Sequence, residues 1–548
     1  MNDPKYRGIL DQVRQAFPAP TSDRVHDAYF VFSILRALDQ VDDLKSVVPM
    51  LGETREIDYE RAATARVEEG SSSVEDVTRD LVQRLVGLPN WGHPHNQVNV
   101  VAPPSIASII GSLLPSIYNP NLVSEESSMG VLEAEAEVAA MSAGLVGYNP
   151  ETSAGVFTGG GTLTNFYGVR IGLDKAIPGA LESGLNGECV VIACKQSHYA
   201  RLNVAGWAGI GQRNVVEVPS GLESDIRIDL FEEAMRRVLD EGRRIGCIVA
   251  TMGTTDAFGI DDLEAMVEIR DRLTAEYELD YRPHIHADAV IGWAWSVFSD
   301  YEFETNPLGF RPRTVRALAK ACRRISKLHL ADSLGIDFHK TGFCPYISSI
   351  FLVKDREDMN RIVRKRETMP YLFQSGTHHP GLFTLETSRP GGGVLAALAS
   401  LKLFGREGLR ALLGHLVEMA EVLREKLEGH ASISVLNGDN VGMVTLFRVY
   451  PDGVDTWSIK SREREDESFS EQLVEHNAYN RKIFEVLHEK AMKGEGIMIS
   501  MTDSYRTSEA GVPIAALKSY CLSPFVDEKP MQLLVDAVLE ARRVVAEG

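Results

Sequence analysis

Between about residue 98 and residue 385, short apolar runs alternate with helical stretches, and this alternation restricts the chain more than any other feature. The runs Glu188–Cys194, Gly246–Met252 and His284–Ala289 each have Gly, Ser, Thr or Asp at or just beyond their ends. Between them, 230–241 and 262–277 carry apolar residues at helical spacing. Strand–helix alternation over so long a span predicts an α/β fold with a mostly parallel sheet covered on both faces. Ligands of such sheets sit beyond the carboxyl ends of the strands, so the polar residues there are the candidates for chemistry.

The flanks read differently. Residues 1–97 are helical and irregular: Val25, Tyr29, Phe32 and Leu35 share one face, and Ser72 with Glu75 forms a capping box ahead of Val77, Leu81 and Leu85. Such an arm packs either on a partner subunit or on its own domain. Beyond the turn 388–393, a helix begins with Leu395, Leu398, Leu401 and Phe404, and strand-like runs follow at 432–436, 443–450 and 496–500. The charged run 460–467 reads as a solvated loop. The expected division is therefore an N-terminal helical segment (1–97), a large domain (98–385) and a small α+β domain (386–548).

The formal net charge of −20 excludes broad affinity for nucleic acid or anionic membranes, and leaves room for a locally positive pocket. Six scattered cysteines without a C-x-x-C pair argue against a zinc ribbon or disulfide framework. The first eight residues lack a signal pattern and no apolar run reaches about 18 residues, so a cytosolic protein without membrane spans is expected.

Four strand ends carry candidates. Gly159-Gly160-Gly161-Thr162-Leu163-Thr164-Asn165 follows Val156-Phe157 and opens a helix, a place where bare backbone and free N–H groups hold an anion. The segment lacks the lysine of a P-loop and the spacing of a dinucleotide fingerprint, and a tight structural turn explains it equally well. Ser197-His198-Tyr199 places a histidine beyond a strand, able to stack on a flat ring or to be a structural residue. Gly253-Thr254-Thr255 ends another strand. His286-Ala287-Asp288-Ala289 ends the next, where a buried carboxylate demands a partner such as a pyridinium N–H. Metal binding by His284, His286 and Asp288 competes, but one strand presents the three in a line, a poor match to a tetrahedral ion. Last comes Asp337-Phe338-His339-Lys340, with a lysine in an apolar, Gly-containing segment. In this order the pieces describe a pyridoxal phosphate site.

These residues resemble the group II pyridoxal 5'-phosphate-dependent amino-acid decarboxylases, of the glutamate, aspartate and aromatic type. The matching pieces are GGTLTN (160–165), SHY (197–199), ATMGTT (250–255), HADA (286–289), ADS with DFHK (331–340) and TSRPG (387–391). The resemblance implies the fold-type I, aminotransferase-like architecture and a homodimer with its site at the subunit interface. It implies that Lys340 carries the cofactor, His198 stacks on its ring, Asp288 pairs with the ring nitrogen, and Thr255 and Ala289 line the ring. Gly161, Thr162 and His339 fall at the phosphate. In the segment 366–380, expected to be a mobile lid, MPYL (369–372) makes Tyr371 the acid that reprotonates Cα.

The chain also departs from the family. Leu202 and Asn203 stand where members commonly have lysine. Lys518 stands where many place the arginine that holds the substrate α-carboxylate, and Arg389 is a second candidate for substrate or domain-interface charge. Asn96 and Gln97 lie in the expected specificity segment, and their amides favour an acidic substrate (aspartate, glutamate or cysteine sulfinate) over an aromatic one. Aldehyde synthesis, lyase chemistry and transamination remain open on the same scaffold. A non-catalytic protein of this fold and a nucleotide-binding enzyme are the readings from other classes.

Overall fold

A computed structural model describes residues 9, 14–46, 48–185, 187–438 and 441–547; the first eight residues, read above for targeting, lie outside them. Its strands in chain order are β1 (Asn96–Gln97), β2 (Ala154–Thr158), β3 (Cys189–Cys194), β4 (Val215–Val218), β5 (Arg244–Thr251), β6 (His284–Asp288), β7 (Ser333–Asp337), β8 (Ser349–Val353), β9 (Ile433–Val435), β10 (Val444–Val449), β11 (Met498–Thr507) and β12 (Pro513–Tyr520). The larger sheet has the order β2-β8-β7-β6-β5-β3-β4. From β7 to β4 every pairing is parallel, and β8 runs antiparallel to both its neighbours. Strands β3, β6, β7 and β8 are buried along their whole length, which is why they read as continuous apolar runs rather than alternating ones. This is the mostly parallel α/β sheet expected of the fold-type I architecture.

The helix Gly161–Ala176 lies across β5, β6 and β7, and two glycines let it seat. A Cβ on Gly168 would stand 2.5 Å from the His286 ring, and one on Gly172 would stand 2.1 Å from the Gly246 carbonyl oxygen. Thr164 closes onto Gly335 in the same way, its Oγ1 2.2 Å from where a Cβ would be. With the helix that close to the strands, its first turn opens at their carboxyl ends.

The smaller sheet has the order β1-β11-β12-β10-β9, antiparallel except for β1 against β11. Residues 96 and 97 thus join a sheet otherwise built from the C-terminal part of the chain, with Asn96 opposite Met498. The helix Gly392–Glu428 leads from the large sheet to the small one and breaks at Gly405, whose φ is 54°.

Two local expectations are corrected. The helix Val74–Gln83 is capped by Ser73, whose Oγ accepts from Asp76 N at 3.1 Å and donates to Asp76 Oδ2 at 2.6 Å, so the box is one residue later than Ser72. The charged run at 460–467 is mostly the helix Ile459–Glu465, and Glu463 is buried rather than solvated. Its carboxylate accepts from Arg448 Nη2 at 2.9 Å and Tyr450 Oη at 2.8 Å, and lies 2.8 Å from His476 Nδ1. A charge run reveals nothing of a cation supplied by a distant strand.

Candidate active site

The carboxyl ends of β5, β6 and β7 and the start of the helix Gly161–Ala176 enclose a cavity of about 240 Å³. The expected residues Gly161, Thr162, His198, Thr255, Asp288, His339 and Lys340 all line it. Gly160 (φ 121°) and Gly253 (φ 118°) adopt backbone conformations that side chains disfavour. A Cβ on Gly161 would meet Asp337 Oδ2 at 2.8 Å and Val290 Cγ1 at 3.0 Å. The helix therefore opens on bare peptide, with its unpaired N–H groups at the cavity.

On β6 the alternation of side chains sends His284, His286 and Asp288 to the side covered by this helix. The two histidines are fully buried and share one hydroxyl, Ser333 Oγ, which is 2.7 Å from His284 Nε2 and 2.9 Å from His286 Nδ1. Burial holds His284 well below the usual imidazole range and pushes His286 down to about 3. They form neutral packing under the site. Among the described residues no group of three His, Cys, Asp or Glu is arranged to hold a metal ion.

Asp288, one strand repeat further on, reaches the cavity. Its Oδ2 accepts from Asn165 Nδ2 at 3.0 Å, whereas its Oδ1 is buried and has no partner. A carboxylate oxygen left open in this way suits an N–H that the protein does not itself supply. His198 stands at the cavity with its Nδ1 accepting from Ala200 N at 3.2 Å. Burial, opposed in part by Asp288, keeps its imidazole below the usual pKa and so neutral.

Lys340 lies one turn beyond β7. Its Nζ is 3.0 Å from Asp337 Oδ2, and Asp337 Oδ1 accepts from Ser349 Oγ at 2.6 Å. Burial works against the ammonium, but the charges of Asp337 and then Asp288 outweigh it and raise the Lys340 pKa above its ordinary value. His339 Nε2 is 3.5 Å from the same Asp337 oxygen, its Nδ1 is 3.1 Å from the Ser348 carbonyl oxygen, and its ring meets that of Tyr346. Burial lowers the His339 pKa, against the pull of Asp337.

Other expected residues lie elsewhere. Ala289 lies outside the cavity lining, whereas Val290 lines it; both stand just beyond β6 and both join the hydrophobic core. Arg389, expected to serve substrate or domain-interface charge, lies outside the cavity lining. It is buried against Glu135 in a two-pronged ion pair, Nη2 to Oε2 at 3.0 Å, and donates to the carbonyl oxygens of Phe157 at 3.0 Å and Leu122 at 2.9 Å. Lys518, on β12, is outside the cavity lining and pairs with Asp256 Oδ1 at 2.7 Å. Gln97 accepts from Ser519 Oγ at 2.6 Å. Asn96 is buried with neither amide atom bonded, also outside the cavity lining. Tyr371 is 77% exposed and does not reach the cavity of its own chain.

Asn165, Asp337, Tyr346 and Ile347 line the cavity without having been singled out. Asn165 ends the glycine/threonine motif, and Asp337 is the acid just before His339-Lys340, so both carried a signal. Tyr346 and Ile347 carried none.

A lysine amine, a buried carboxylate with a free oxygen, a neutral histidine and a bare helix start share one cavity on a fold-type I sheet. That combination fits pyridoxal 5'-phosphate and defines a pyridoxal-dependent enzyme. Residues 58–449 match the model of the pyridoxal-dependent decarboxylase conserved domain, and the chain belongs to that family: it is a pyridoxal phosphate-dependent amino-acid decarboxylase. It is 26% identical over 378 residues to an L-2,4-diaminobutyrate decarboxylase of Acinetobacter baumannii, covering 66% of this chain and 68% of that one. An acidic amino acid decarboxylase of Bos taurus is 22% identical over 442 residues, 79% of this chain and 74% of that one. Among solved structures, mouse CSAD superposes with a TM-score of 0.75 at 17% identity, over 94% of this chain and 99% of that one.

Proposed function

We propose that this decarboxylase acts on an L-amino acid with a charged, non-aromatic side chain, and that 2,4-diaminobutyrate is its leading substrate. The observation that carries this reading is the similarity to diaminobutyrate decarboxylases of two organisms. The pairing of Arg389 with Glu135 and of Lys518 with Asp256 bears on the α-carboxylate or on domain packing, which every substrate shares, and does not choose a side chain. An acidic substrate is the second reading, favoured by the unbonded, buried amide of Asn96 and by the similarity to an acidic amino acid decarboxylase.

In this reading Lys340 would hold the cofactor through Nζ, and His198 would stack on its ring. Asp288 Oδ1 would accept from the ring nitrogen and favour its protonated form. Gly161, Thr162 and His339 would receive the phosphate, with Thr255 and Val290 beside the ring. The bound cofactor supplies an electron sink for the pair released as the carboxylate leaves. Tyr371 then delivers a proton to the substrate's α-carbon in a site closed to water.

The enzyme works as a homodimer with its site at the interface, because Tyr371 is remote from its own cavity and apolar faces lie open. The helix Ile106–Tyr118 exposes Ile106, Ile109, Ile110 and Leu114, and the helix Arg24–Asp42 has no buried residue. Among the described residues no helix is long and apolar enough to cross a membrane, and all six thiols are free and buried, which suits a reducing cytoplasm.

Carbon dioxide release from the purified holoenzyme, measured over 2,4-diaminobutyrate, aspartate, glutamate, cysteine sulfinate, tyrosine and tryptophan, tests this reading. Lys340→Ala serves as the blank. Diaminobutyrate is expected to give the highest kcat/KM, and a preference for an aromatic substrate overturns the assignment.

A further inference from the structure

Five backbone N–H groups of the segment 373–378 end on two carboxylates. Glu126 accepts from Phe373 N at 2.8 Å, Gln374 N at 3.0 Å and Ser375 N at 2.9 Å. Glu125 accepts from Thr377 N at 2.8 Å and His378 N at 3.1 Å, and its own N–H donates to the His378 carbonyl oxygen at 3.0 Å. These bonds hold both carboxyl groups below their ordinary pKa, so both are charged acceptors at neutral pH.

The segment they hold is not in a relaxed conformation. Phe373 has a φ of 65°, uncommon for a bulky side chain, and its ring is buried in a small cluster with Val123 and Met369. Gly376 has a φ of 83°, and a Cβ there would stand 2.8 Å from Glu125 Cδ, so the loop closes over that carboxylate only with glycine at this position. Two residues before Phe373, Tyr371 projects into solvent.

We propose that Glu125 and Glu126 form a carboxylate clamp that fixes the 366–380 segment and thereby aims Tyr371. They are positioning residues: neither lines the cavity, and their effect on the reaction passes through the loop backbone. Charged acceptors suit the task, since Glu126 Oε2 and Glu125 Oε2 each take two N–H groups and charge-assisted bonds are roughly twice as strong as neutral ones. At 126, where both oxygens accept, a glutamine faces at least one N–H with a donor; at 125 it removes the charge that strengthens both bonds. The aiming half of the proposal rests on the reading of Tyr371 as the proton donor.

The test compares wild-type holoenzyme with E125Q/E126Q and, separately, with Gly376→Ala, which disturbs the same clamp from the loop side. Chymotrypsin nicking after Phe373, read by mass spectrometry of the fragments, reports the clamp. The proportion of aldehyde to amine among the products reports delivery of the proton. Nicking is expected to rise about tenfold in both variants, with a Tm close to wild type, and the aldehyde fraction is expected to move toward that of Tyr371→Phe. Unchanged nicking in both variants overturns the clamp. Faster nicking with an unchanged product ratio, while Tyr371→Phe does alter it, sustains the clamp and overturns the aiming. If Tyr371→Phe itself leaves the ratio unchanged, the proton-donor reading falls, the aiming falls with it, and the nicking result still decides the clamp. Should E125Q/E126Q not fold, Gly376→Ala alone decides.

Discussion

Asp337 shows how one side chain shapes the candidate site. It takes Lys340 Nζ at 3.0 Å and Ser349 Oγ at 2.6 Å while almost wholly buried, so the ammonium has a fixed counter-ion before any ligand arrives. Capture of a carbonyl needs the neutral amine. Because the Lys340 pKa is raised, the ion pair's stabilisation is fully present below the unfolded lysine value of about 10.4 and is lost only as pH rises through the higher folded value. Over the neutral range the pair therefore persists, and cofactor capture by the apoenzyme should quicken as pH increases. Asp337→Asn removes the counter-ion; a fall of about one pKa unit increases the neutral fraction about tenfold. The visible absorbance that develops when pyridoxal phosphate is added to the apoenzyme should appear about tenfold faster in that variant near pH 7.5. Equal rates and equal pH profiles would remove Asp337 from this role.

The helix Gly161–Ala176 carries the site at the scale of an element. It has no side-chain cap and no strong amphipathic stripe of its own; its place comes from contacts at Asn165, Gly168 and Gly172 with Asp288, His286 and the β5–β6 backbone. These positions follow the helical repeat while residues 284, 286 and 288 follow the strand repeat, so one face of the helix reads one side of β6. A methyl group at 168 is forced against the buried His286 ring and lifts the helix from the sheet. Gly168→Ala is expected to cost about 1–3 kcal/mol, the usual range for an overpacked core, seen as a lower midpoint in urea. Since the same helix starts the anion cradle, the variant should also bind pyridoxal phosphate more weakly; full stability with full affinity would contradict this account.

For the whole molecule, the single chain leaves apolar surface that its own fold does not cover. Ile109, Ile110, Leu113 and Leu114 are each more than 40% exposed along one helix, and that helix packs on the start of Gly392–Glu428, where a Cβ on Gly111 would stand 2.5 Å from the Leu395 carbonyl oxygen. A firmly seated helix with an open apolar face is what an obligate interface offers before its partner arrives. Sedimentation equilibrium of wild type is expected to give a dimer, and Ile110→Asp combined with Leu114→Asp a monomer with little turnover. A monomeric, fully active wild type would refute the interface.

The sequence alone determined the α/β architecture and the order of the chemistry along it, because parallel strands buried on both faces must be apolar and polar residues gather where those strands end. It pointed to the glycine turn, His198, Asp288 and the His339-Lys340 pair for the same reason: each lies at or within a few residues of a strand's carboxyl end. What only the tertiary structure decided was direction and pairing. Ala289 and Val290 are neighbours in the chain just beyond β6, yet only Val290 lines the cavity. Arg389 and Glu135 meet across 254 residues, and Lys518 and Asp256 across 262, so both cations already have a partner that lies far away in the chain. Asp337 was visible as a residue, but not as the partner of Lys340, because that contact depends on the chain turning sharply from β7 into the short helix Phe338–Thr341. Periodicity records which side of an element is buried; it holds no record of which distant charge will be found there.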